Sequence, residues 1–372
     1  MIRTGSDFSG VGAFDQALNI LGIKQDKIFA CDMDKYARQT YIYNYGEPKY
    51  YPENVYDREI PKESLDIYMT SPPCQSFSLA GKRKGEDSEN GILFYNSHEF
   101  IKKNKPRYFI FENVRGLLSD NEGKTFQNWC DYLGGKSING NPVIFPREES
   151  TPYHIYYKVI NAKKCGVPQN RQRIFIVGIR DDQDNTFTFP KDIHLTKRLK
   201  DLLEFGVDDK YYLSDKMINS IMTPADIKWQ SGKMEIDLDI ARPITATCHK
   251  MHRADTDNYI SVKSNTKKGY ELATENDSIN FSVPTSKTRR GRVGKEVAQT
   301  LDTSCNQGVF ESKRIRRLTP RECFRLMDFP DSFKWNVSDT QAYKQAGNSI
   351  VVACLVAILK RIYLQNNNVI NL

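Results

Sequence analysis

The strongest constraint on the fold is a set of short, nearly continuous apolar runs, each of which stops at a polar motif. Ile28-Phe29-Ala30-Cys31 ends at Asp32, Leu65-Asp66-Ile67-Tyr68-Met69 leads to Ser71-Pro72-Pro73, and Tyr108-Phe109-Ile110-Phe111 ends at Glu112-Asn113. A further run covers residues 174 to 179, and residues 3 to 8 precede a glycine-bearing turn. Strands that are apolar along their whole length are buried on both faces, which implies a parallel sheet with helices on either side. Phe14, Ala17, Leu18 and Leu21 share one face of a helix expected over residues 13 to 21. In open α/β sheets the crevice beyond the carboxyl ends of the strands binds ligands. The polar motifs fall there.

A chain of 372 residues has room for one large domain and a smaller one. Its character changes at Phe189-Pro190. From there to about residue 314 it is polar, rich in Thr, Asn, Asp and Lys, and poor in helical periodicity. A second, irregular domain of strands and loops is expected over residues 189–317. Helical patterns return over residues 322–327 and 349–363, and the last is apolar enough to be a buried helix that rejoins the first domain. The first domain is therefore expected from residues 1–188 and 318–372. No apolar run reaches the roughly 18 residues that span a bilayer, and the N-terminus lacks a signal-peptide core, so a cytoplasmic protein with no membrane partner is expected.

The eight cysteines show no Cys-x-x-Cys spacing and read as reduced thiols. Cys248, His249 and His252 lie close together but lack a second pair at zinc spacing, so no metal is expected. Lys and Arg number 54 against 46 Asp and Glu, a formal net charge of +8. The excess is concentrated. Lys287, Arg289, Arg290, Arg292, Lys295, Lys313, Arg314, Arg316, Arg317, Arg321 and Arg325 are opposed only by Glu296, Asp302, Glu311 and Glu322. Such a segment is expected to meet phosphates.

Five motifs carry chemistry. Phe8-Ser9-Gly10-Val11-Gly12 lies between a strand and a helix, where glycines let the backbone approach a ligand closely. Asp32 ends the second strand, where a carboxylate can accept hydrogen bonds from both ribose hydroxyls of a nucleoside. In Ser71-Pro72-Pro73-Cys74-Gln75-Ser76-Phe77-Ser78 two prolines stiffen the backbone that presents the Cys74 thiol. Residues 79 to 91 follow with Gly81, Gly85, Gly91, Lys82, Arg83 and Lys84, the composition of a basic loop able to close over a polyanion. Glu112 stands at a strand end. Arg171 and Arg173 of Gln169-Asn170-Arg171-Gln172-Arg173 project to one side if extended. Gln345-Ala346-Gly347-Asn348-Ser349 is expected to open the last helix, with a helix cap as the plain alternative for Asn348 and Ser349.

In this order the motifs resemble those of the cytosine-5 DNA methyltransferases of bacterial or phage type: Phe-x-Gly-x-Gly, Pro-Cys-Gln, Glu-Asn-Val, Gln-x-Arg-x-Arg and Gly-Asn-Ser. Arg317-Leu318-Thr319-Pro320-Arg321-Glu322 matches a segment the family carries after its variable region. The resemblance covers the chain except for about residues 190–313, where the family places a target recognition domain. It implies a class I S-adenosylmethionine-dependent methyltransferase fold: Rossmann-like, with a mostly parallel sheet and a smaller, irregular recognition domain.

The resemblance further implies S-adenosylmethionine as cofactor, held by Phe8, Gly10, Gly12, Asp32, Pro73, Asn348 and Ser349, with Asn54 standing where the family commonly has an acidic residue facing the adenine amine. Cys74 would add to carbon 6 of a flipped-out cytosine. Glu112 would neutralise charge at nitrogen 3, and Arg173 would hold the base carbonyl. Arg171 would support the loop or a phosphate. Duplex DNA would meet Gln75, Lys82, Arg83 and Lys84 of the basic loop and Arg289, Arg290 and Arg292 of the basic segment, with Asn306 and Gln307 reading base edges. A monomer is expected, with any cognate restriction endonuclease acting separately. The alternatives are an RNA (tRNA) cytosine-5 methyltransferase with the same core, and a catalytically silent DNA-binding homologue. Keeping Cys74, Glu112 and Arg173 together argues against the latter.

Overall fold

The computed structural model describes residues 1–73, 89–183, 186–211, 238–246 and 316–365, together with short strands at 259–260, 278–280, 293–294 and 307–309. Strands β1 (Ile2–Asp7), β2 (Gln25–Cys31), β3 (Ile67–Thr70) and β4 (Tyr108–Val114) lie parallel in the order β2-β1-β3-β4. The sheet then continues through β8 (Gln172–Arg180) and β7 (Tyr153–Asn161) to β5 (Ser137–Ile138) and β6 (Asn141–Pro142). The apolar run at 174–179, expected among parallel strands, is β8 and runs antiparallel to both β4 and β7. An apolar run signals burial on both faces and carries no information on strand direction.

Alternation within the runs feeds two separate cores. Ile67 and Met69 of β3 and Ile110 of β4 pack with helix α1 (Ala13–Ile20) and the C-terminal helices α5 (Pro320–Leu326), α6 (Asp339–Asn348) and α7 (Val352–Gln365). Tyr68, Phe109 and Phe111 face the other way, toward α3 (Glu89–Asn104) and α4 (Lys124–Leu133). There Phe94 stacks on Trp129 with ring centroids 4.2 Å apart. Helix α2 (Lys35–Tyr45) follows β2 and is capped by the Asp34 side chain, which accepts from Tyr36 N and Ala37 N. At α5, Thr319 and Glu322 form a reciprocal capping box with Pro320 in the first turn.

Residues 134–152 include the β5–β6 hairpin, turned by Asn139 and Gly140 with φ of 48° and 81°. Asn-Gly is a strong two-residue hairpin signal, because both positions need positive φ. Gly91, expected in a loop, lies in α3. The last helix starts at Val352; Asn348 closes α6 and Ser349 is its C-cap. The stretch Asp339–Tyr363 reaches a window hydropathy of 1.5, enough by composition to cross a membrane. It is interrupted between α6 and α7, and α7 packs on α1.

The described part of the expected second domain begins inside the first. Leu199, Tyr211, Ala241 and Ile244 belong to the same buried cluster as Leu355 and Ile358 of α7. Beyond them, β9 (Tyr259–Ile260) pairs with β13 (Arg316–Arg317), and β10 (Ser278–Asn280) lies between β11 (Val293–Gly294) and β12 (Gln307–Val309).

Candidate active site

The register of the parallel strands sets the site. Asp7 is aligned with Cys31 and with Thr70, and Thr70 with Phe111. The next residue along each strand is Phe8, Asp32, Ser71 and Glu112. Four residues from four distant motifs thus leave the sheet from one row, at its carboxyl edge.

At the centre of this edge, Glu112 is 6% exposed. Its Oε2 accepts from Ser71 Oγ at 2.8 Å, and its Oε1 lies 3.1 Å from Arg173 Nε. Arg173 Nη1 donates to the Gln172 carbonyl at 2.8 Å. Asn113, the next residue, donates to the Pro72 carbonyl at 3.4 Å and accepts from Val114 N at 2.8 Å. The Glu-Asn pair of β4 therefore grips the Ser-Pro that leads to Pro73, itself half-buried. Ser71 and Asn113 thus have tasks that the motifs alone do not assign. Their adjacency to prolines and to a strand end was the signal.

At the β1–β2 side the backbone turns sharply. Phe8 has φ 56°, and Gly10 has φ 54° with open space in its side-chain direction. Positive φ at Gly10 is a conformation that L side chains rarely adopt. Gly12 is the N-cap of α1. Asp32 closes the turn: Oδ2 accepts from Gly10 N at 2.7 Å and Oδ1 from Asp34 N at 2.8 Å. Burial raises the Asp32 carboxyl above its ordinary pKa, against the lowering effect of these two hydrogen bonds. Asn54 is exposed, and its side-chain oxygen accepts from Tyr56 N at 3.0 Å, so only its second lone pair is left to offer an adenine amine. The end of α6 docks beside α2: Lys344 Nζ meets Asp34 Oδ2 at 2.6 Å, and Gln345 Nε2 donates to the Tyr36 carbonyl at 2.9 Å. Of the two residues that end this helix, Asn348 is exposed and Ser349 is buried.

Arg171 is spread over three carbonyls. Its Nη1 donates to Ile244 O at 2.8 Å, and its Nη2 to Gly347 O at 3.0 Å and Ser349 O at 2.8 Å. With the residue 4% exposed, these contacts tie the segment at Ile244 to the end of α6 at Gly347 and Ser349. Gln169 acts alongside, accepting from Ile244 N at 2.9 Å and donating to Leu326 O at 2.5 Å. Gly347 lies so close to this segment that a Cβ there would collide with the backbone of Thr245 and Ala246.

Two members of the basic segment have protein partners around α5. Arg325 pairs with Asp331 at 2.8 Å, and Arg321 donates to Phe333 O and lies 4.5 Å from the Trp335 ring centroid. Cys74, Gln75, Lys82, Arg83, Lys84, Cys248, His249, His252, Arg289, Arg290, Arg292 and Asn306 lie outside the described residues. Gln307 is described only as the first residue of β12.

The family model for C-5 cytosine-specific DNA methylase matches residues 2–364. The chain belongs to the C-5 cytosine-specific DNA methylase family. The type II methyltransferase M.Bsp6I of Bacillus sp. (strain RFL6) is 32% identical over 377 residues, covering 98% of this chain and 99% of that protein. M.SsoII of Shigella sonnei, also a type II methyltransferase, is 32% identical and covers 95% of this chain and 78% of its own length. Among solved structures, the S. pombe Dnmt2 methyltransferase aligns over 99% of this chain with a TM-score of 0.64 and 19% identity, a likeness of fold. As a C-5 cytosine-specific DNA methylase, the chain transfers a methyl group from S-adenosylmethionine to carbon 5 of cytosine in DNA.

Proposed function

We propose that the methylase acts through a Cys74 adduct assembled at the carboxyl edge of β1–β4. The observation that carries the reading is the Glu112 carboxylate, held between Ser71 Oγ and Arg173 Nε. Ser71 lies three residues before Cys74, so the group that would meet the base is tied to the segment that carries the nucleophile.

S-adenosylmethionine supplies a methyl group on a positively charged sulfur. The residues at the β1–β2 turn fit it: a carboxylate at a strand end, open space over Gly10, and the N-terminus of α1. Phe8, Gly10, Gly12 and Asp32 would take its adenosine part with Asn54, and Pro73, Asn348 and Ser349 would border it.

Carbon 5 of cytosine is a weak nucleophile. Addition of the Cys74 thiolate to carbon 6 places an electron pair that carbon 5 can donate. Glu112, sharing a proton with nitrogen 3, neutralises the charge that this addition pushes onto the ring. Arg173 holds Glu112 in register and meets the base carbonyl. Carbon 5 would take the methyl group as the donor's sulfonium leaves as a neutral thioether; a base then removes the carbon 5 proton and the bond between Cys74 sulfur and carbon 6 breaks to restore the thiolate. Arg171 acts as a positioning residue.

The target base is unreachable inside a stacked duplex, so it is flipped out. Residues 82–84 and 289–292 are assigned to phosphates, and Asn306 and Gln307 to base edges. We assign recognition to residues between 247 and 315, narrower than the 189–317 expected, because residues 189–211 and 238–246 pack with the first domain. The setting we propose is restriction–modification in the cytoplasm, with the methylase monomeric and any cognate endonuclease acting separately.

A duplex bearing 5-fluorocytosine tests the chemistry. Fluorine at carbon 5 cannot leave as the proton does, so wild-type enzyme becomes covalently trapped and Cys74→Ser does not. Trapping that survives in Cys74→Ser moves the nucleophile elsewhere. Running the methyl-transfer assay on tRNA beside the duplex separates an RNA substrate from DNA.

A further inference from the structure

The most deeply enclosed ion pair among the described residues lies at the carboxyl end of β1. Arg58 Nε donates to both oxygens of Asp7, at 2.8 and 3.1 Å, and Tyr68 OH donates to Asp7 Oδ2 at 2.6 Å. The Asp7 side chain is fully enclosed and that of Arg58 is 3% exposed. The guanidinium lies over the Phe100 ring, 4.4 Å from its centroid, with Phe29 at 5.7 Å. The surroundings are thus an aromatic core into which two charges have been placed.

A buried ion pair adds little stability over an apolar pair of the same shape. What it adds is direction: the Arg58 Nε is shared between both oxygens of one carboxylate, whose Oδ2 is also held by Tyr68, so each group is fixed relative to the other. Both residues stand next to the rim of the cleft. Asp7 is the last residue of β1, and Phe8 follows it at φ 56°. Arg58 follows a turn that starts at Asn54, whose carbonyl accepts from Asp57 N at 3.2 Å and whose side-chain oxygen accepts from Tyr56 N. Val55 of that turn is buried against the same aromatic core. The turn is therefore a short rigid piece, exposed at Asn54 and anchored at Val55 and Arg58.

We infer that the Asp7–Arg58 ion pair is a positioning device for the cofactor, fixing Phe8 and Asn54 relative to each other across the adenosine end of the cleft. The inference rests on the reading that these two residues line S-adenosylmethionine. Neither Asp7 nor Arg58 touches the cofactor in it. Their effect falls on cofactor affinity and leaves the methyl-transfer step alone.

The test pairs a charge-free core with a cofactor-contact control. Asp7→Leu combined with Arg58→Met replaces the ion pair by apolar side chains and is expected to fold, whereas either change alone strands a buried charge. Thermal unfolding verifies folding; calorimetry with S-adenosylmethionine and steady-state kinetics on duplex DNA give the readout. The double variant should raise both Kd and KM for the cofactor about tenfold or more, with kcat at saturating cofactor within about twofold of wild type. Arg58→Lys, which keeps the charge but not the planar fork, should show the same split and serves where the double variant does not fold. Wild-type cofactor affinity in the variant that folds, with Asp32→Ala weakened in parallel, overturns the positioning role alone. Undiminished affinity in Asp32→Ala overturns the cofactor reading beneath it.

Discussion

Arg171 and Arg173 are two residues apart in one motif, yet they hold different parts of the molecule. Arg173 shares its charge with Glu112 at the strand edge; Arg171 is buried on carbonyls of two separate segments. A lysine offers a point charge with three donors and cannot reproduce either planar arrangement. In Arg171→Lys, carbonyls of Ile244, Gly347 and Ser349 lose their donors inside the protein. Urea unfolding should show a loss of about 2–4 kcal/mol. In Arg173→Lys the unfolding midpoint should stay close to wild type, while kcat drops by roughly a hundredfold or more. A stability loss of equal size in both variants would mean that the two arginines share one structural task. The sequence made both visible as one basic motif, because spacing of two predicts a shared side. It did not separate their tasks, since the partners of Arg171 lie 73 to 178 positions away.

At the scale of elements, the strands were legible and their termini less so. Continuous apolar runs marked β2, β3, β4 and β8 because each strand feeds both cores, as Tyr68 and Met69 do on opposite faces of β3. The direction of β8 and the break between α6 and α7 were hidden: both follow from tertiary packing, and the apolar composition runs through the break. Helix α3 carries a consequence for acid stability. His98 sits in the aromatic cluster 5.1 Å from the Tyr132 ring, and its Nε2 lies 3.0 Å from the Glu149 carbonyl. Burial, the largest influence, holds its pKa below the ordinary histidine value, with Lys102 adding to this and Glu149 and Glu99 opposing it. The unfolded chain therefore takes up a proton near pH 6.5 that the folded chain resists, and stability falls as pH drops below that point. His98→Gln should flatten the decline of the melting temperature between about pH 6.5 and 5. Parallel declines in variant and wild type would place the acid-sensitive group elsewhere.

For the whole molecule, Arg321 and Arg325 of α5 already have protein partners, so the proposed phosphate contacts are tested at Arg289, Arg290 and Arg292. Each phosphate contact releases condensed counterions, so each alanine substitution there should lower the slope of log affinity against log salt by about one, for cognate and random duplexes alike. Asn306→Ala and Gln307→Ala should instead cost roughly 1–3 kcal/mol of discrimination between the two duplexes. Arginine variants with the wild-type slope would return that stretch to plain solvated surface.

The contact at Gly347 reaches further than the local packing. Ala246 and Thr245 rest on Gly347, and Tyr343 OH donates to the Leu318 carbonyl at 2.7 Å. The chain thus departs from and returns to α6 at points four residues apart, about 6 Å along a helix axis. Both ends of the intervening stretch are thus seated on one helix. Closing a loop costs only about 0.6 kcal/mol more for each doubling of its length. Segments of very different size and specificity can therefore be grafted between residues 246 and 318 without disturbing the catalytic edge, provided the seat at Gly347, Arg171 and Tyr343 is kept. On the proposed assignment of residues 247–315 to recognition, exchanging that one stretch is expected to change the DNA sequence that is methylated.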